Sequence, residues 1–223
     1  MVKRIGAITV GQSPRTDIVP EIKELLGNVE IVEAGALDGL SYEEILQFAP
    51  SEKDYVLVTK LRDGRSVKIS ESYILQQIQK LIDQLTAAGT DGIVMFCSGE
   101  FPEFSCNHPI LYPQILLQQF VTVVARGKKL GVINPDASQA PQALKRWSKI
   151  PVGQIAIEAA SPYAEPDKIW QAADALRSWG AEMVVLDCMG FNQAMKQTVA
   201  QIVGVPVILP RTVAARAVAE LFG

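Results

Sequence analysis

Short Val/Ile-rich runs alternate along the chain with longer segments whose apolar residues recur at three- and four-residue spacing. The runs Ile5–Val10, Val29–Val32, Gly92–Phe96, Lys129–Ile133, Gly153–Ile157, Met183–Leu186 and Val205–Leu209 predict strands. Helical spacing predicts helices over Pro20–Leu26, Glu71–Ala88, Ile110–Val124, Ala137–Trp147, Pro166–Trp179, Ala194–Val203 and Thr212–Leu221. Gly27, Gly89, Gly180 and Gly204 stand where such helices close. Ser41 followed three residues later by Glu44 is a capping-box pattern and predicts a helix over Ser41–Phe48. Tyr55–Leu61 and Arg65–Ile69 alternate on either side of Asp63-Gly64, which predicts a β-hairpin. This β/α alternation predicts an α/β fold, parallel sheets covered by helices, to which the antiparallel ribbon is an addition.

The two halves echo each other. Residues 87–97 and 178–188 read alike in order: helix end, Gly, acidic residue, buried strand, Cys, with Gly99 and Gly190 just beyond. The expectation is two pseudo-symmetric lobes, each a parallel sheet of about four strands flanked by helices, with the hairpin in the first lobe. Residues 1–109 with 210–223 are expected to form the first lobe and 110–209 the second, with the site in the cleft between them.

Composition narrows the function. The 223 residues are 48% hydrophobic and 20% charged, an ordinary globular mixture. The net charge of −3, from 21 basic and 24 acidic side chains, argues against nucleic acid or an anionic membrane surface as a partner. Three cysteines make no disulfide framework and fit a reduced, cytoplasmic protein. No apolar stretch reaches the roughly 18–20 residues of a membrane span. The N-terminal run stops at Gly11-Gln12-Ser13-Pro14, too early for a signal-peptide core. A homo-oligomer is left open.

Cys97 and Cys188 carry the candidate chemistry. Both fall at the carboxyl ends of strands, where open parallel sheets bind ligands. Two thiols facing one small cavity suit proton transfer at a carbon next to a carboxylate, one removing a proton and the other returning it from the opposite face. Donors around the carboxylate would stabilise the carbanion, so the reaction needs no cofactor. Gly11, Gln12, Ser13, Arg15 and Thr16 follow the first strand and offer amides, hydroxyls and a guanidinium to a carboxylate. An ordinary loop with Thr16 as helix cap and Arg15 in solvent reads as well. Ser98, Gly99, Met189 and Gly190 flank the thiols and complete the expected substrate contacts, with Asn134, Ser161 and Tyr163 on further strand-end loops. Lys60, Arg62, Arg65 and Lys68 read as a solvated face of the hairpin. No metal set is read: Cys97, Cys106 and His108 lack a recognised spacing and a fourth ligand, and His108 is the one histidine.

A duplicated α/β chain with a Cys-small-Gly element in each half resembles the aspartate/glutamate/hydantoin racemase superfamily. Within it the chain resembles the AroM family. The match runs through Ile8-Thr9-Val10-Gly11 with Pro20, Leu40-Ser41-Tyr42-Glu43-Glu44, Ala49-Pro50, the hairpin, Gly131-Val132-Ile133 and Leu186-Asp187-Cys188-Met189-Gly190-Phe191. The resemblance implies two pseudo-symmetric lobes with a site between them and supplies no reaction. It makes the Cys188 element a regular part of the family pattern, and leaves Cys97 as a feature of this chain. The leading expectation is a cofactor-independent racemase, epimerase or isomerase acting α to the carboxylate of a small molecule. A one-thiol, decarboxylase-like enzyme using Cys188 and a non-catalytic binder of a small carboxylic acid remain the alternatives.

Overall fold

The computed structural model describes residues 2–223. The chain divides into two compact units, Met1–Pro113 with Ala214–Gly223, and Gln114–Val213. Each is built on a four-stranded parallel sheet.

In the first unit the elements are β1 (Lys3–Thr9), α1 (Val19–Ile22), β2 (Val29–Gly35), α2 (Tyr42–Leu46), the hairpin β3 (Val56–Lys60) and β4 (Ser66–Ser70), α3 (Leu75–Ala87), β5 (Gly92–Met95) and β6 (Ile110–Leu111). The sheet order is β2-β1-β5-β6. β1 is central and buried from Ile5 onward, which accounts for its unbroken apolar run. The face of α3 formed by Ile78, Leu81, Ile82 and Leu85 packs into the core with Ile8, Ile93 and Met95.

The second unit contains α4 (Pro113–Val124, its first residue belonging to the first unit), β7 (Lys129–Asn134), α5 (Ala140–Trp147), β8 (Gln154–Ala159), α6 (Asp167–Trp179), β9 (Met183–Leu186), α7 (Gln193–Val203), β10 (Val207–Ile208) and the start of α8 (Pro210–Phe222). Its sheet order is β10-β9-β7-β8. Read from the second strand of each unit, both sheets run second, first, third, fourth. The strand order therefore reverses between β1 and β5 in one unit and between β7 and β9 in the other, the switch point at which open α/β sheets place ligands.

The repetition extends to single bonds. The Arg4 N–H meets the Asp91 carboxylate at 2.9 Å, and the Lys129 N–H meets Glu182 at 2.9 Å. Gly89 and Gly180 close α3 and α6 at φ +81° and +84°, a left-handed conformation that glycine adopts without steric cost. A Cβ at Gly6 would lie 2.9 Å from Leu85 Cδ1, and one at Gly131 2.9 Å from Leu176 Cδ1. Each first strand thus carries a glycine because a leucine of the covering helix rests directly on its backbone.

The hairpin β3–β4 is a separate two-stranded antiparallel sheet, and the second unit passes from β8 to α6 without one. Leu57, Val67 and Ile69 join the first unit's core. The capping box forms as read, with Ser41 accepting from the Glu44 N–H and Glu44 accepting from the Ser41 N–H.

The helices expected from Glu71 and Ala137 begin as 3-10 turns over Glu71–Tyr73 and Ala137–Gln139, the strand expected over Val205–Leu209 is Val207–Ile208, and two further segments differ more. Ile110–Leu111 is strand, paired with β5, and the helix begins only at Pro113. A proline disfavours helical backbone in the residue before it, and two apolar residues fit either period. The helix expected over Pro20–Leu26 is the four-residue α1 followed by a 3-10 turn over Lys23–Leu25. Gly27 then turns at φ +73° with Gly223 closely packed against it. Among the described residues no helix is long and apolar enough to cross a membrane.

Candidate functional site

In the first unit, Cys97 lies two residues beyond β5, beside the end of β1, where the Phe96 N–H donates to the Ile8 carbonyl. The half-buried Cys97 Sγ accepts the Gly99 N–H at 3.3 Å. A Cβ at Gly99 would stand 3.3 Å from this sulfur and 2.7 Å from Leu57 Cδ2, so a larger residue would crowd the thiol and the hairpin together. Ser98 is buried, and the Glu100 N–H donates to the Tyr55 hydroxyl at 3.0 Å, tying the thiol loop to the hairpin.

The Gly11–Thr16 loop leaves the neighbouring strand end, and the structure engages most of its side chains internally. The Gln12 carboxamide donates to the Leu37 and Leu40 carbonyls and accepts the Arg62 N–H. Ser13 donates its amide and hydroxyl to Asp38. Arg15 is 4% exposed, with its fork on Asp17 at 2.8 and 2.8 Å and a further bond to Thr9 Oγ1 at 3.1 Å. Thr16 caps no helix: α1 starts at Val19 and its N-cap, Ile18, has no side-chain bond. The Ser13–Pro14 peptide is cis.

In the second unit, Cys188 lies two residues beyond β9, and the Asp187 N–H donates to the Ile133 carbonyl of β7. Its Sγ accepts the Gly190 N–H at 3.3 Å, the same contact that Cys97 makes with Gly99. Gly190 is pressed against Tyr163, whose hydroxyl would sit 2.3 Å from a Cβ there. The segment is braced from below. Asp187 Oδ2 accepts from the Arg146 guanidinium and, at 2.8 Å, from Trp147 Nε1. The Met189 carbonyl accepts from Arg211 Nε at 2.9 Å and Nη2 at 2.5 Å. Both arginines are buried. Asn134 ends β7, buried, with its Oδ1 unbonded among the described residues, and Ser161 accepts the Tyr163 N–H.

The structure thus groups Gly11–Thr16 with Cys97, Ser98 and Gly99 in one unit, and Asn134 and Ser161 with Cys188, Met189 and Gly190 in the other. Arg146, Trp147, Arg211, Asp38 and Tyr55 were not found from sequence. One signal was present for Arg211, a charge directly after Pro210 at the head of an otherwise apolar helix face. Cys106 accepts the His108 N–H and lies 3.6 Å from Thr86 Oγ1. No group of three potential metal-ligating side chains occurs among the described residues. Arg65 pairs with Asp63 and stacks on Tyr42, and Arg62 reaches the Ser13 carbonyl and Asp38.

Glu71, at the end of β4, is pushed up from 4.5 to about 7 by burial and then by the Glu100 charge. The folded state therefore holds a proton that the unfolded chain has lost between about pH 4.5 and 7, and stability from this group falls as pH rises through that window. Urea midpoints at pH 5 and pH 7.5 test this. The wild type is expected to lose more stability between them than Glu71→Gln, and equal losses would remove Glu71 as the cause.

Residues 5–222 match the model of the AroM protein family. No curated protein sequence matches the chain. Among solved structures, Picrophilus torridus aspartate racemase is similar, with TM-score 0.64 at 15% identity, covering 99% of this chain and 94% of that one. The maleate isomerase of Pseudomonas putida S16 aligns with TM-score 0.66 at 13% identity, over 99% and 93%. A liganded mutant of arylmalonate decarboxylase aligns with TM-score 0.67 at 9% identity, over 100% and 93%. At these identities the likeness is one of fold.

Proposed function

The chain belongs to the AroM family, and on that premise we propose that it transfers a proton at the carbon α to the carboxylate of a small molecule, as a cofactor-independent racemase, epimerase or isomerase. One observation carries the reading. Cys97 and Cys188 occupy the same position in two repeats, two residues past the third strand, each receiving a backbone N–H at 3.3 Å. The backbone donor fixes each sulfur in place, and the thiolate is the form that removes a proton. In this reading one thiolate takes the α-proton, the electron pair moves onto the carboxylate, and the opposite thiol returns a proton to the other face. The candidate carboxylate holders are the thiol-bearing loops Ser98–Gly99 and Met189–Gly190, with Gly11–Thr16 in the first unit and Asn134 and Ser161 in the second.

A second reading rests on the asymmetry between the elements. Phe96 stands where Asp187 stands, so the buried carboxylate bracing Cys188 has no equivalent beside Cys97. Cys188 alone would suffice to protonate a carbanion left by decarboxylation. The fold neighbours include racemases, an isomerase and a decarboxylase, so the fold accommodates both readings.

The test is proton NMR of small amino, hydroxy and dicarboxylic acids incubated with the protein in deuterium oxide. Loss of an α-proton signal with accumulation of the other stereoisomer is the expected result. Release of carbon dioxide from a malonate-type acid with Cys97 replaced would favour the one-thiol reading. Saturable binding without exchange or decarboxylation in any acid would leave a non-catalytic binder.

A further inference from the structure

Helix α4 is apolar on two sides. Leu117 and Val121, with Ala125 just beyond the helix, are buried and join the core that holds Val132, Trp147 and Val185. On the opposite side Ile115 is 48%, Phe120 47% and Val123 79% exposed, with Gln119 exposed among them and Leu116 half-buried. No other α-helix among the described residues exposes more than one large apolar side chain. α4 is also the one α-helix among them without an Asp, Glu, Lys or Arg, and residues 104–125 form the longest uncharged stretch of the sequence. A helix that is apolar all round belongs in a core, and one at a surface ordinarily turns charges to water. α4 has the composition of the first and the position of the second. Its three exposed side chains leave on the order of 300 Å² of apolar surface on one helix face, the scale at which a patch is often functional. Depletion of charge is also what marks the centre of a protein interface.

The chemistry of the face selects its occupant. With no charge to offer, it gains nothing from an acidic or a basic partner and pairs best with a face equally uncharged. This chain supplies one, α4 itself. We propose that a second copy of the chain covers the outer face of α4, the two helices packing antiparallel about a two-fold axis. Such an interface is isologous, so Ile115, Phe120 and Val123 meet the same three side chains of the partner copy. Gln119 stands in the middle of the exposed row Ile115, Gln119, Val123, at four-residue spacing. Its carboxamide both donates and accepts, so it can pair with an identical group, as no carboxylate or ammonium can. Antiparallel helices also set the positive N-terminal end of each beside the negative C-terminal end of the other. The area sets the strength. The 12 residues of α4 span about 18 Å, and one such face buries less than the roughly 800 Å² per partner of a standard interface. The dimer is therefore a weak one, with a dissociation constant between about 1 μM and 1 mM. The inference is independent of the proton-transfer reading.

Sedimentation equilibrium of the full chain from about 1 μM to 1 mM tests this, since the range spans the expected constant. A reversible monomer–dimer equilibrium is expected, with a constant that changes less than about twofold between roughly 0.05 and 0.5 M sodium chloride, because no charges meet at the interface. Phe120→Glu and Val123→Glu change exposed positions and are expected to keep the far-UV circular dichroism and urea midpoint of the wild type. Each is expected to weaken association at least about a hundredfold, because the two-fold axis buries the new carboxylate twice. Val123, the most exposed of the three, decides the matter if Phe120→Glu disturbs the fold. Trp170→Glu on α6, at a position as exposed as Phe120, is expected to leave the equilibrium unchanged. A chain monomeric throughout the range, a dimer that the α4 variants leave intact, or one that Trp170→Glu or salt dissociates would overturn the proposal. So would a monomer that binds neutral phosphatidylcholine vesicles through Phe120 and Val123, which would place a lipid surface on α4.

Discussion

Replacing Arg146 with leucine is expected to destabilise the second unit by about 3–5 kcal/mol, the usual cost of stripping one partner from a buried ion pair. The Arg146 and Asp187 side chains are 3% and 1% exposed. Asp187 Oδ1 is buried without a hydrogen bond, so Oδ2 carries all of the compensation, from Arg146 and Trp147. Without Arg146, a buried carboxylate keeps a single N–H donor, Trp147 Nε1. The measurement is unusually clean because all three tryptophans, Trp147, Trp170 and Trp179, lie in the second unit. Their fluorescence through a urea titration follows that unit alone. The paired replacement Arg146→Leu with Asp187→Leu is expected to recover much of the loss, since removing both charges leaves neither uncompensated. A single variant as stable as the wild type would show that the pair does not hold the segment.

The repeated pattern was legible because it is written locally. Gly89 and Gly180 follow their helices, Asp91 and Glu182 follow the glycines, and the strands and thiols come next, so each signal sits within a dozen residues of the others. The hairpin and the capping box at Ser41 were legible for the same reason. The brace was not: Arg146 and Asp187 are 41 residues apart, and Met189 and Arg211 are 22 apart. In sequence Arg146 reads as the polar last turn of an amphipathic helix, and only the fold turns it inward. The Gly11–Thr16 loop illustrates the converse error. Its donors read as available to a ligand, but Gln12 and Ser13 are engaged by Leu37, Asp38, Leu40 and Arg62, 25 to 50 positions away. A sequence displays which groups can donate; which of them are already spent depends on long-range closure.

Cys188→Ser is expected to abolish α-proton exchange, by at least about 10³-fold, within the 10²–10⁴-fold range of a positioned general acid or base. The geometry makes the substitution conservative in shape: the side chain is buried, and the Gly190 N–H can still donate to an oxygen in place of Sγ. What changes is acidity, because a serine hydroxyl is a far weaker acid than a thiol with an ordinary pKa of about 8.5. The hydroxyl neither holds a negative charge at neutral pH nor yields its proton readily to a carbanion. Cys97→Ser is expected to act differently. Inverting a centre needs a proton removed on one face and delivered on the other, whereas exchange needs only one group that releases and recaptures a proton on the same face. In proton NMR in deuterium oxide, the Cys97 variant should therefore exchange the α-proton of a bound acid without producing its enantiomer, and the Cys188 variant should do neither. Alkylation would add bulk to the site, so serine, which keeps the packing around Phe191 and Leu186, is the better probe. If Cys188→Ser exchanged as fast as the wild type, the proton-transfer role of Cys188 would fall, and with it the one-thiol reading. If Cys97→Ser still interconverted the enantiomers, the second proton would have to come from a group other than that thiol, and the equivalence of the two repeats would be structural alone.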